Sequence, residues 1–155
     1  MANNEFSTKS INLICEEIKA RAISLGFCLC GSVGMEEPLH YSIYETWLNK
    51  RHHGAMAYLD SDRHRLLRCN PSILVPWARS ALVLAWPYLL SDMSPTEPVG
   101  LIAGYAATED YHLALPRILT KLIDDLPEIF GRPVQSQVFT DTAPILEREL
   151  GVRSG

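Results

Sequence analysis

Three groups of residues in this 155-residue chain are of types that could do chemistry. Asp141, in FTDTAPILEREL at residues 139–150, is an acid set between an apolar strand end and a proline-started helix. A carboxyl there serves either as a helix cap or as a proton donor. The two roles ask for opposite shifts. A donor working near neutral pH needs its pKa raised above the usual ~3.9 by desolvation, whereas a helix N-terminus stabilises the carboxylate and lowers it. Glu109, Asp110, Tyr111 and His112 share one turn of YAATEDYH, residues 105–112, on their own a capping sequence with an acidic first turn. Lys50, Arg51, Arg63, Arg65 and Arg68 outnumber Asp60 and Asp62 between residues 50 and 68. That balance suits a local positive patch that attracts phosphate, or an ordinary charged loop.

Other chemistries lack a pattern. Cys28 and Cys30, at i and i+2 on a strand, point to one face, but no third and fourth ligand falls at a recognisable spacing, so both are expected to be small buried core residues. His52 and His53, beside Lys50 and Arg51, read as a solvated helix end. There is no GxGxxG, P-loop, GxSxG or HExxH string. Cys15, Cys28, Cys30 and Cys69 are scattered, which fits reduced thiols and argues against an iron–sulfur cluster held by this chain alone.

The elements that must position these residues follow from periodicity. Ile11, Ile14, Ile18, Ala22 and Leu25 step by three or four and predict a first helix, with Ser7 to Ser10 offering caps and Gly26 a stop. FCLCGSV reads as a short buried strand, and Ile43, Trp47 and Leu48 mark a second helix ending before Gly54. Residues 54–76 are broken by Pro71 and Pro76 and suit loops or one-turn helices. SALVLAWPY predicts a buried strand covered on both faces, and LLSDMSPTEPVG a loop. Asp110 is placed to cap a helix carrying Leu115, Ile118, Leu119, Leu122, Ile123 and Leu126, with Pro116 in its first turn or at a kink. PVQSQVFT alternates like a further strand, and a last helix is expected to start near Pro144.

Strands and helices alternate without repeats, so the expected class is α/β (α+β): one domain over residues 1–155, a sheet with helices packed on it. With 47% hydrophobic and 21% charged residues it reads as a soluble globular domain; the net charge of −4 argues against a wholesale nucleic-acid coat. ALVLAWPYLL, the longest apolar stretch, falls short of the roughly 20 residues that span a bilayer, and no signal sequence is evident. A cytoplasmic protein without membrane contact is expected. The chain stops at VRSG without a closing element and reads as truncated at its C-terminal end.

Taken jointly, HHGAMAYLDSDRHRLLRCNPSILVPWARSALVLAWPY, IAGYAATEDYH and FTDTAPILEREL resemble, in order and spacing, the N-terminal, cobalamin-binding part of tRNA epoxyqueuosine reductase. The likeness runs over nearly the whole chain and rests on the joint presence of YAxxxDYH and DxxPxLER. It implies a nitroreductase-like sheet flanked by helices, and reduction of epoxyqueuosine to queuosine at the tRNA wobble position with cobalamin as cofactor. It makes Asp141 the proton donor, beside the cofactor, places Arg68 near the corrin, and has Tyr111 and His112 line the substrate pocket. tRNA is then the partner. The family's [4Fe–4S] clusters belong to a ferredoxin-like C-terminal domain absent here, so electrons are expected from such a domain or protein and the chain alone is expected to be inactive. Gly104 stands where the family usually carries an arginine. Two further readings are a non-catalytic corrinoid- or tRNA-binding relic and another cobalamin-dependent oxidoreductase of dehalogenase type.

Overall fold

The computed structural model describes residues 8–88 and 103–155; the loop predicted at LLSDMSPTEPVG lies outside them. In chain order the elements are α1 (Thr8–Ser24), β1 (Leu29–Gly34), α2 (Tyr41–Asn49), a 3-10 turn (Ala57–Asp60), α3 (Asp62–Cys69) and α4 (Pro71–Leu74). Then come β2 (Ser80–Ala85), a second 3-10 turn (Gly104–Ala107), α5 (Tyr111–Phe130) and α6 (Glu147–Ser154). β1 and β2 pair in a two-stranded sheet. The mixed helix-and-sheet class is as expected. The sheet departs from expectation in cover: only Val33 of β1 is buried, and β2 alternates exposed with half-buried residues instead of being covered on both faces. Residues 133–140 form no strand, although their side chains alternate in polarity.

The described residues gather into two compact units, residues 1–30 with 84–140 and residues 31–83 with 141–155. In the first, α1 packs on α5. Ala22, Phe27 and Leu122 form the buried cluster, with Leu25, Cys30, Leu84, Leu115, Ile118 and Leu119 packed around it. Arg21 joins the two helices through Asp125 at 3.5 Å. Gly26 ends α1 with φ of 102°, a conformation that strains any residue with a Cβ, and the Trp86 ring lies over the spot that a Cβ would occupy. Asp110 caps α5 by accepting the His112 N–H at 2.9 Å, as its position predicts, and Gly131 ends the helix in the left-handed conformation. Pro116 lies inside α5 beyond the first turn, as does Pro127.

In the second unit α3 packs against α2, α4 and the 3-10 turn at Ala57–Asp60. Ser61 caps α3 and Asn70 caps α4, where Pro71 takes the first helical position and loses no hydrogen bond by lacking an N–H. α3 runs for 8 residues, two turns where one was expected. α6 starts at Glu147, three residues later than Pro144, with no side-chain cap. It is fixed by charge more than by apolar area. Glu149 accepts from His40 Nδ1 at 2.7 Å and from the Leu39 N–H at 2.9 Å, and Arg153 bonds Glu36 at 2.6 Å. Only Leu150 of this helix is buried. Gly31 lets α6 approach β1: a Cβ there would stand 2.5 Å from the Ser154 carbonyl oxygen.

Gly31→Ala is therefore expected to destabilise the protein by about 1–3 kcal/mol through that overlap. Gly151→Ala, inside α6 with nothing within 4 Å of its Cβ position, should stabilise it by about 0.5–1 kcal/mol. Chemical denaturation of the two variants checks the contrast. Desolvation pushes the Glu149 carboxyl up, but the bonds from His40 and Leu39 outweigh it and leave the pKa lowered. A carboxylate lowered in the folded state contributes stability above its unfolded value and loses it as pH falls through the folded one. Protection of α6 amides, taken relative to their intrinsic exchange rate at each pH, should accordingly fall as pH drops below the ordinary glutamate range, and Glu149→Gln should flatten that response.

Candidate functional site

Arg68 sits in the last turn of α3, and its neighbours are mostly rings. Its guanidinium lies 5.3 Å from the centre of the Tyr44 ring, and Nη1 is 2.8 Å from His64 Nδ1. A guanidinium can only donate, so this Nδ1 is the acceptor and His64 carries its proton on Nε2. Desolvation lowers the His64 pKa, and the positive charges of Arg68 and Arg63 lower it further, which keeps the imidazole neutral for that role. Tyr44 is held in place by donating its hydroxyl to the Leu59 carbonyl at 2.7 Å and by stacking near Trp47. Burial raises the phenol pKa, with Arg68 and Arg65 pulling it back.

Asp141 lies in the same unit. It is exposed, and its backbone takes the left-handed conformation with φ of 54°. Five residues separate it from the first residue of α6, so it does not cap that helix, and the capping expectation fails. Instead its N–H donates to Glu147 Oε1 at 3.2 Å. The drying expected of a proton donor falls on Glu147. Crowding around that carboxyl raises its pKa and the Asp141 charge adds to the rise, against the opposing bond from the Asp141 N–H and the pull of Arg68. Glu147 as a residue is exposed. Nothing in the sequence analysis singled it out, although it is the glutamate of the LER string.

The basic segment is smaller than its composition implied. Arg65 is engaged by Asp60 at 2.5 Å and Glu45 at 3.8 Å, while Lys50, Arg51 and Arg63 make no ion pair among the described residues. His53 is not at a solvated helix end: its side chain is 12% exposed and packs edge-on near Trp47. A shallow, open depression along α2 is lined by Ser42, Ile43, Thr46, Trp47, Lys50 and His52, and includes neither Arg68 nor Asp141.

Tyr111 and His112 belong to the other unit. Their rings stack at 4.0 Å, and Tyr105 stands edge-on to Tyr111 at 5.9 Å. Asp110 orients the imidazole through His112 Nδ1 at 2.9 Å, and its own pKa is lowered first by the His112 N–H and then by that ring. Cys28 is exposed and bonds the Ala85 carbonyl, so it is not the buried core residue expected, whereas Cys30 is half-buried and packs against the core cluster. Among the described residues no three of His, Cys, Asp and Glu come together as a metal site. No helix among them is long and apolar enough to cross a membrane.

Residues 68–142 match the family described as Epoxyqueuosine reductase QueG, DUF1730. The chain is 35% identical over 142 residues to the epoxyqueuosine reductase of Cyclobacterium marinum, covering 89% of this chain and 44% of that protein. It is 30% identical over 152 residues to that of Salmonella typhimurium, covering 94% and 38%. A crystal structure of selenomethionine-labeled epoxyqueuosine reductase shares its fold, with a TM-score of 0.69 at 21% identity over 90% of this chain and 38% of that one. The resemblance carried by the three sequence segments is thus borne out, and the chain spans less than half the length of these relatives. The matched stretch includes Arg68, Tyr111, His112 and Asp141 and stops before Glu147.

Arg68→Ala is expected to raise the His64 titration midpoint part of the way to that of a free imidazole, since it removes one positive charge and leaves the desolvation. Proton NMR of the imidazole resonances against pH reads this directly. An unchanged midpoint would mean that the two groups are not paired in solution.

Proposed function

We propose that this chain, similar over most of its length to epoxyqueuosine reductases, forms part of an enzyme that reduces epoxyqueuosine to queuosine in tRNA with cobalamin as cofactor. The observation that carries the reading is the placement of Asp141: it does not cap α6, and it is set at the start of the DxxPxLER segment in the company of a second carboxyl, Glu147, on which the Arg68 charge acts.

The residues fit such a cofactor by the chemistry of their donors and acceptors. A corrin brings its own equatorial ligands, so its protein needs ring-edge contacts more than a cluster of metal ligands. Arg68 offers a cation backed by neutral groups, His64 and Tyr44, and Asp141 with Glu147 offers acidic oxygens. Cobalamin, when bound, supplies the reducing electrons. What remains is asked of side chains. Asp141 donates a proton as the epoxide opens, Arg68 contacts the cofactor, and Tyr111 and His112 line the pocket for the modified base. Iron–sulfur clusters do not fit: Cys15, Cys28, Cys30 and Cys69 form no ligand group, so electrons come from another domain or protein.

The test is to express the full open reading frame encoding this chain in cells lacking their own epoxyqueuosine reductase, and to analyse tRNA nucleosides by mass spectrometry. Queuosine should replace epoxyqueuosine. Asp141→Asn should slow conversion by roughly 10²-fold or more, the usual contribution of a positioned acid. Absence of conversion would overturn the assignment, and full activity of the Asn variant would remove Asp141 from the chemistry.

A further inference from the structure

We infer that Glu147 is a positioning residue for Asp141: its carboxyl accepts the Asp141 N–H and holds that residue in the left-handed conformation. The inference deepens the reading of Asp141 as proton donor and rests on it.

Three observations meet here. Among the described residues, Asp141 and Arg51 are the non-glycine residues with positive φ, a conformation that persists only where surrounding structure fixes it. At Asp141 one such contact is the bond from its N–H to Glu147 Oε1. Glu147 is itself delivered from a fixed place, because it opens α6, and α6 is tied down by Glu149 to His40 and Leu39 and by Arg153 to Glu36. The charged groups that act on Glu147 are Asp141 and Arg68.

Crowding favours the protonated form of Glu147, and an ionised Asp141 favours it further. A protonated carboxyl still has acceptor capacity, so Oε1 keeps the N–H bond whether or not the group is ionised. Glu147 can therefore gain and lose a proton without releasing the backbone that aims Asp141.

The test uses this chain and carboxyl carbon NMR against pH, with amide exchange as a second readout. Glu147 should titrate above the ordinary glutamate range, and Asp141→Asn should move its midpoint down. Glu147→Ala should speed exchange of the Asp141 amide roughly tenfold, as loss of one hydrogen bond predicts. Glu147→Gln, which keeps an acceptor oxygen, should leave that amide protected. A Glu147 midpoint indifferent to Asp141→Asn, or an Asp141 amide equally protected in Glu147→Ala, overturns the inference. If the midpoint falls as expected while Asp141→Asn retains full reductase activity, the pairing stands and the proton-donor reading fails.

Discussion

A left-handed backbone at an aspartate brings its Cβ against the following carbonyl oxygen, at a cost of roughly 1–2 kcal/mol for an ordinary L-residue. Asp141 adopts it because the residues that follow leave little choice. Pro144 disfavours the α conformation at Ala143 and is itself buried, so the chain cannot enter a helix directly after the acid. It turns instead, with the Ile145 N–H bonded to the Ala143 carbonyl at 2.8 Å, and becomes helical only at Glu147. The first side chain of that helix then reaches back to the Asp141 N–H. The turn separates the acid from the helix it would otherwise cap.

The Glu147 contact depends on α6, a helix with little apolar anchorage. Val152 is 80% exposed, and Leu150 is its buried residue. Ion pairs and the close approach at Gly31 do the remaining work, and surface ion pairs are individually weak. The pairs of α6 gain from being partly withdrawn from water: the side chains of Glu149 and Arg153 are 9% and 18% exposed. Several such contacts on one short helix explain how an eight-residue segment with no side-chain cap keeps a fixed register.

The helices were legible in the sequence because apolar periodicity and capping chemistry act within a few residues. α1, α2 and α5 fall where their stripes place them, down to the Asp110 cap and the Gly26 stop. The failures are all matters of neighbours. Alternation in residues 133–140 looks like a strand, but a strand exists only with a partner edge, and β1 and β2 pair with each other. Cys28 has the composition of a core residue, yet a two-stranded sheet leaves more surface open than a covered one, and only Cys30 of the pair packs against the core cluster. His53 follows cations in sequence and still turns in toward Trp47. Glu147 escaped notice because its significance is a backbone contact six residues away, and no side-chain spacing signals that.

Arg68 shows why the partners of a charge matter more than its count. Arg65 is neutralised by Asp60 and Glu45, and Arg153 by Glu36. Arg68 contacts an imidazole nitrogen and a tyrosine face, both uncharged, and makes no ion pair among the described residues. Its charge is therefore oriented but not cancelled, and desolvation together with the charges of Arg68 and Arg63 favours the neutral form of His64. A cation held this way still attracts an anionic or amide-rich edge, and it also draws on the carboxyl of Glu147.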